Sequence, residues 1–261
     1  MHESTQHKKA LVLSAGGMFG AYQAGAWKFL AGRFQPDVVI GASVGAVNGW
    51  AIAGGCSPEE LIRDWRDPAC AALTRLRLLR TPWRGFLDGD RLHARLREVW
   101  ASFTPRVEVG VVAVELPRLR PRLFRNHEIG WEHLAASGAL PFCYPQVRMN
   151  GVTYTDGGLL GALPLWAAAA MGATEVLAIH LLPQPLSRTL RALVRAVRAF
   201  APRLPAVPES LNLRTIAPAR PLGSLRDSFT WRPDTIERWI DQGYRDAERQ
   251  WGKSPDLPLP S

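Results

Sequence analysis

Cysteine is scarce in this chain of 261 residues; the three present, Cys56, Cys70 and Cys143, stand far apart. An odd count at wide spacing sets up no disulfide framework, and the absence of any C-x-x-C pair removes the usual metal and redox signatures. A reducing compartment and a protein without a metal site are the expectations, with the cysteines acting as small packing residues. Long apolar runs are missing as well. The richest stretch, residues 162–179, is broken by Gly172 and Glu175 and falls short of a membrane span. Residues 1–9 are polar and lack the apolar centre of a signal peptide. Together these absences predict a cytoplasmic protein whose membrane contact, if any, is peripheral. Internal repeats and long linkers are also lacking. The organisation expected is one domain over residues 9–252 between loose tails, 1–8 and 253–261.

Acidic residues are outnumbered, 23 against 32 Lys and Arg, for a net charge of +9 and an isoelectric point near 10.2. A basic surface suits anionic lipid, nucleic acid or acidic protein. No zinc-ligand spacing, basic heptad helix or RNP-like strand is found, so a nucleic-acid partner is not expected. Hydrophobic residues make up 47% of the chain, enough for a large core.

What is present is an alternation of strands and helices. Residues 9–14 (K-A-L-V-L-S) read as a buried strand, followed by Ala15-Gly16-Gly17-Met18-Phe19-Gly20 and a helix over 21–30. Val38, Val39 and Ile40 read as a second strand, followed by G-A-S-V-G (Gly41 to Gly45) and a small-residue helix over 46–53. Such alternation predicts an α/β fold with a mainly parallel sheet flanked by helices. Ser57, Pro58 and Glu60 form a capping-box start for a helix to about residue 66. Further helices are expected over 90–101, 131–139, 165–171 and 233–251, and strands over 107–116, 175–180 and 212–216. Asn150-Gly151 marks a hairpin between 146–149 and 152–155. Residues 75–84 read as a basic connector, and 118–125 as half of a hairpin or a basic loop. Residues 186–200 read as an amphipathic helix with Arg188, Arg191, Arg195 and Arg198 on one stripe, either packed on the core or lying on anionic lipid.

The G-x-S-x-G pentapeptide stands between strand and helix, the context of a nucleophile elbow. Gly41 and Gly45 allow strand and helix to approach, and Ser43 projects over the N-terminus of the new helix, whose dipole favours an oxyanion. A serine hydroxyl needs a base within reach and donors aimed at the developing negative charge. The turn holding Gly16, Gly17 and Gly20 offers backbone N–H donors. It is not a nucleotide loop, because Ala15 stands where G-x-G-x-x-G needs glycine and no Gly-Lys-Ser/Thr follows. For the base, Asp156 precedes Gly157 and Gly158, which permit a close backbone approach. Asp156 could act through His180, in a Ser–Asp–His order, or directly on Ser43 if burial raises its pKa.

These stretches, in this order, resemble the patatin-like phospholipases. The resemblance rests on Gly16 to Tyr22, on Gly41 to Gly45 with Ala46 and Asn48, and on Asp156-Gly157-Gly158. It extends to Ala136-Ser137-Gly138-Ala139-Leu140-Pro141, to Pro145, Asn150-Gly151 and Tyr154 before the aspartate, and to Leu163-Pro164 after it. Ala217-Pro218, Arg220 to Gly223 and Gly243 to Ala247 complete it, so it spans nearly the whole chain. It implies a three-layer α/β/α domain that hydrolyses lipid acyl esters, with Ser43 as nucleophile, Asp156 as base and amides around Gly16, Gly17 and Met18 as the oxyanion hole. It implies no metal or cofactor, and leaves His180 as a strand-end residue. Two stretches depart from the family pattern. Ala15 replaces a leading glycine and Phe19 a basic residue, which weakens phosphate recognition at that loop; Gly161-Ala162 stand where asparagine is frequent. The expected activity is therefore that of a phospholipase, lysophospholipase or neutral-ester lipase, and the alternative reading is a catalytically weak lipid-binding or scaffold protein.

Overall fold

Strand β1, Lys9–Leu13, is buried from Ala10 to Leu13 on both of its faces, as a central parallel strand must be. In the computed structural model, which describes residues 7–74, 87, 89–184, 195, 196 and 198–252, β2 (Val38–Ala42) runs parallel to it on one side and β7 (Glu175–Ile179) on the other. Beyond β2 lies β3 (Glu108–Leu116), and beyond β7 lies β8 (Asn212–Ile216), both parallel. Three antiparallel strands complete the sheet. β4 (Arg120–Arg125) pairs with β3, and the hairpin β5 (Val147–Met149) and β6 (Val152–Thr155) joins through β6. The order is β5-β6-β3-β2-β1-β7-β8, with β4 also on β3.

Period-two alternation sorts the side chains to two faces. Leu11, Leu13, Val39, Val109, Val111, Leu177 and Ile179 pack on one side, in a cluster shared with helices α1 (Gly20–Leu30), α2 (Val44–Ala53), α3 (Pro58–Arg66), α4 (Gly89–Ser102), α5 (Trp131–Ser137) and α7 (Pro233–Trp251). Ala10, Val12, Val38, Ile40, Val112 and Val176 pack on the other, against α6 (Leu165–Ala170) and the segment carrying Leu204, Val207 and Leu211. The result is three layers of unequal thickness.

Local signals explain the element boundaries. Ser57 Oγ accepts the Glu60 N–H at 3.2 Å while Glu60 accepts the Ser57 N–H at 2.8 Å, the expected capping box, worth about 1 kcal/mol. Asn150 and Gly151 both have positive φ (49° and 79°), as the two-residue hairpin turn requires. Residues 120–125 do form a strand, and its Pro121 is tolerated because β4 is paired on one side only. β2 runs to Ala42, and α2 starts at Val44, directly after the elbow serine. The expected connector over 75–84, residues 186–194 and 197 of the amphipathic helix with Arg188 and Arg191, and the C-terminal tail lie outside the described residues. Arg195 and Arg198 are described, and both are exposed. Among the described residues, no helix is long and apolar enough to cross a membrane.

Candidate active site

The register of β3 brings together two residues that are far apart in sequence. β4 covers one side of β3 from Gly110 to Glu115. On the other side β2 ends with Ala42 opposite Val112, while β6, running the opposite way, ends with Thr155 opposite Val114. One step further along each strand brings Ser43 and Asp156 towards Ala113 from opposite directions. The Ser43 side chain there acts on the Asp156 carboxyl, favouring its charged form.

Ser43 turns the chain sharply, with φ 55° and ψ −126°. A serine in that region costs roughly 1–3 kcal/mol and persists only where its surroundings fix it. Glycines make the turn possible: a Cβ on Gly41 would fall 2.1 Å from the carbonyl oxygen of Gly45, and one on Gly45 would fall 2.3 Å from that of Leu13. The Ser43 N–H donates to Ser137 Oγ at 2.8 Å, and Ser137 Oγ donates to the Val112 carbonyl at 2.6 Å. The Ser137 carbonyl accepts the Gly157 N–H at 3.0 Å, and the Asp156 N–H donates to Ala139 O at 3.1 Å. The end of α5 therefore anchors both the elbow and the aspartate.

Asp156 is only 4% exposed. Burial disfavours its charged form and pushes the pKa up to about 6, against the opposing pull of the Ser43 side chain and the Gly158 N–H, which donates to Oδ1 at 2.7 Å. Gly157 lies against the Val112 carbonyl and Gly158 against the Ala15 methyl group, so the loop carrying the aspartate abuts both β3 and the glycine-rich turn.

That turn, Ala15 to Gly20, contains a 3-10 segment, Gly17–Phe19, that leads into α1. The first N–H groups of a helix have no acceptor within it, and no side chain caps this segment or α2. The amides of Gly17 and Met18 open this segment, and that of Val44 opens α2. Gly16 lies against Leu181, Gly17 against the Ser228 backbone, and Gly20 against Val44 and Trp65. A buried polar network fixes the turn to α2. Gln23 Nε2 donates to Ser14 O at 2.8 Å; Asn48 Nδ2 donates to Gly20 O at 3.1 Å and to Gln23 Oε1 at 2.9 Å; Trp65 Nε1 donates to Asn48 Oδ1 at 3.2 Å. Phe19 is fully buried, edge-on to Trp239 with ring centroids 4.9 Å apart. The position where the family pattern carries a basic residue thus faces the core.

His180 follows β7 and is half-buried. Desolvation pushes its pKa down to about 4, and its ring is engaged by the Leu182 backbone. Among the described residues, no bond joins it to Asp156, whose Oδ1 accepts the Gly158 N–H. Also among the described residues, no group of three or more His, Cys, Asp or Glu is arranged to hold a metal ion. Ser137 and Gln23 escaped the sequence reading as site residues. Ser137 meets partners 94 and 25 positions away, so only the Ala-Ser-Gly-Ala-Leu-Pro stretch around it could have flagged it.

A family model described as patatin-like phospholipase matches residues 11–169. The uncharacterised protein YjjU of Escherichia coli K12 is 26% identical over 192 residues, covering 69% of this chain and 54% of YjjU. The chain therefore spans about half the length of that curated relative. The crystal structure of VipD from Legionella pneumophila is similar over 94% of this chain and 66% of VipD, with a TM-score of 0.56 and 14% identity, a likeness of fold. With more than half of its length matched by the family model, and with the α/β architecture described above, the chain belongs to the patatin-like phospholipase family of lipid acyl hydrolases.

Proposed function

We propose that this protein hydrolyses fatty-acyl esters of lipids with Ser43 as nucleophile and Asp156 as general base. One observation carries the reading: the register of β2 and β6 on β3 brings the elbow serine towards a buried aspartate, whose pKa burial pushes up to about 6. A carboxylate with that pKa accepts a proton more readily than one in water, yet is largely ionised at neutral pH. Ser43 Oγ forms a bond to the ester carbonyl carbon as its proton passes to Asp156. The carbonyl oxygen becomes an oxyanion against the amides of Gly17, Met18 and Val44. On collapse the bond to the alcohol oxygen breaks, and Asp156 returns the proton to that alcohol. Water then adds to the acyl-enzyme, losing its proton to Asp156. The fatty acid departs as Ser43 takes the proton back.

The buried Phe19 supports a site that does not use this loop to grip a lipid phosphate, in keeping with action on neutral esters. The basic surface, with exposed Arg195 and Arg198, supports work on an anionic membrane surface. Hydrolysis of short p-nitrophenyl esters and labelling by a fluorophosphonate test the proposal. Ser43→Ala abolishes both, Asp156→Asn lowers turnover at least about a hundredfold, and His180→Ala keeps turnover within a few-fold. Full activity in Ser43→Ala sinks the reading, and loss in His180→Ala with retention in Asp156→Asn replaces the dyad with another base.

A further inference from the structure

Large apolar side chains left in solvent are few. Among the described residues they are Trp100, Phe142, Phe200 and Leu225, and Phe142 and Phe200 are 75% and 85% exposed. Trp100 is tied down by its Nε1, which donates to Ile129 O, and lines a cavity with Pro105, Val107 and Glu108 near the start of β3. The other three sit on segments attached to the loops of the candidate site. Phe142 follows Ala139, whose carbonyl accepts the Asp156 N–H, by three residues. Phe200 stands two residues after Arg198, whose Nε donates at 2.5 Å to the carbonyl of Leu160 in the loop after Asp156. Leu225 O accepts from Ser228 Oγ, and the Ser228 backbone lies against Gly17.

Phe142 is held in place under strain. Its φ of 67° is a genuine outlier for a bulky residue. Its turn is pinned on both sides: Cys143 and Tyr144 N–H donate to Leu140 O, Cys143 O accepts from Leu87 N–H, and Tyr144 Oη donates to Leu73 O at 3.0 Å. The scaffold therefore presents an exposed phenyl ring on the segment whose Ala139 carbonyl accepts the Asp156 N–H. Exposed arginines flank the apolar side chains: Arg198 and Arg203 beside Phe200, and Arg226 beside Leu225. The opposite edge of the sheet, where the parallel strands begin, carries charge instead, with Lys8 paired to Glu108 and Asp37 accepting the Lys9 N–H.

We propose that Phe142, Phe200 and Leu225 are the lipid-facing rim of the site. They insert among acyl chains while Arg198, Arg203 and Arg226 engage anionic headgroups, so that the strand ends carrying Ser43 and Asp156 face the bilayer. Rings at the headgroup boundary with arginines at the phosphate level match the chemistry of an anionic membrane surface. The inference rests on the active site proposed above and names the surface by which that site meets its substrate.

Its test is made on Ser43→Ala protein, so that binding is read without hydrolysis. Sedimentation with phosphatidylcholine vesicles, with and without phosphatidylglycerol, gives the partition coefficient. The parent partitions onto the anionic vesicles, and Phe142→Gly/Phe200→Ser/Leu225→Ser lowers the coefficient about tenfold. A fall of less than about threefold, or a parent that binds neither vesicle, overturns the proposal. Phe142→Gly alone is the folding-safe variant, because glycine accepts the positive φ; its melting temperature does not fall while its partitioning does. If Ser43 is not the nucleophile, ester hydrolysis survives in Ser43→Ala, and the partition result stands unaffected.

Discussion

The Ser137 hydroxyl accepts the backbone N–H of Ser43 at 2.8 Å and is itself fully buried. Its own proton goes to Val112 O, so it joins the elbow to β3 with both its donor and an acceptor in use. Replacing it with alanine leaves a buried N–H and a buried carbonyl without this partner, at a cost of about 1–3 kcal/mol. The larger effect falls on the geometry of Ser43, whose unusual backbone angles depend on that bond. Ser137→Ala is expected to lower kcat on p-nitrophenyl esters roughly ten- to a hundredfold with KM changed less than about threefold. Steady-state kinetics alongside urea unfolding separate the two effects; an equal loss in both parameters argues for a merely structural role.

Asp156 gives the activity and the stability opposite pH dependences. Its folded pKa, about 6, lies above the ordinary carboxylate value of 3.8. Between those values the folded chain holds a proton that the unfolded chain has released, so stability falls as pH rises through that window. The contribution reaches at most roughly 3 kcal/mol, taking about 1.36 kcal/mol per pH unit. Activity needs the ionised base and rises through pH 6 to a plateau. Asp156→Asn is therefore expected to be the less active and, at pH 8, the more stable protein. Thermal unfolding at pH 5 and pH 8 checks the sign.

Phe19 replaces a basic residue of the family pattern, and its packing on Trp239 makes that replacement hard to reverse. Phe19→Arg sets a guanidinium in a fully buried site packed edge-on to Trp239. The expected outcome is a loss of about 3 kcal/mol or more, read as a large drop in melting temperature, with no gain in phospholipid hydrolysis. A variant that folds normally and gains activity on phospholipids over neutral esters overturns this account of position 19.

Much of the fold was legible in the sequence because its cues are local. The capping box at Ser57 and Glu60, the Asn150-Gly151 turn and the strand–elbow–helix around Ser43 each declare themselves within a few residues. Residues 118–125 were ambiguous, since Pro121 and four arginines suit a loop and an edge strand equally. The role of Ser137 was hidden, because a buried serine looks like any other until its distant partners are known. The pairing of Asp156 with Ser43 was suggested by the resemblance. What positions it, the head-on arrival of β2 and β6 beside β3, belongs to sheet register, which no short stretch encodes.

That arrival makes the hairpin a gauge of length. Side chains alternate faces along a strand, so deleting or adding one residue between Val152 and Asp156 swings the carboxyl to the far side of the sheet. The surface turn at Asn150-Gly151 could lengthen without that consequence. The placement of Asp156 is thus indexed by a residue count in four positions of β6, and indels in related chains should spare that interval while loops around it drift.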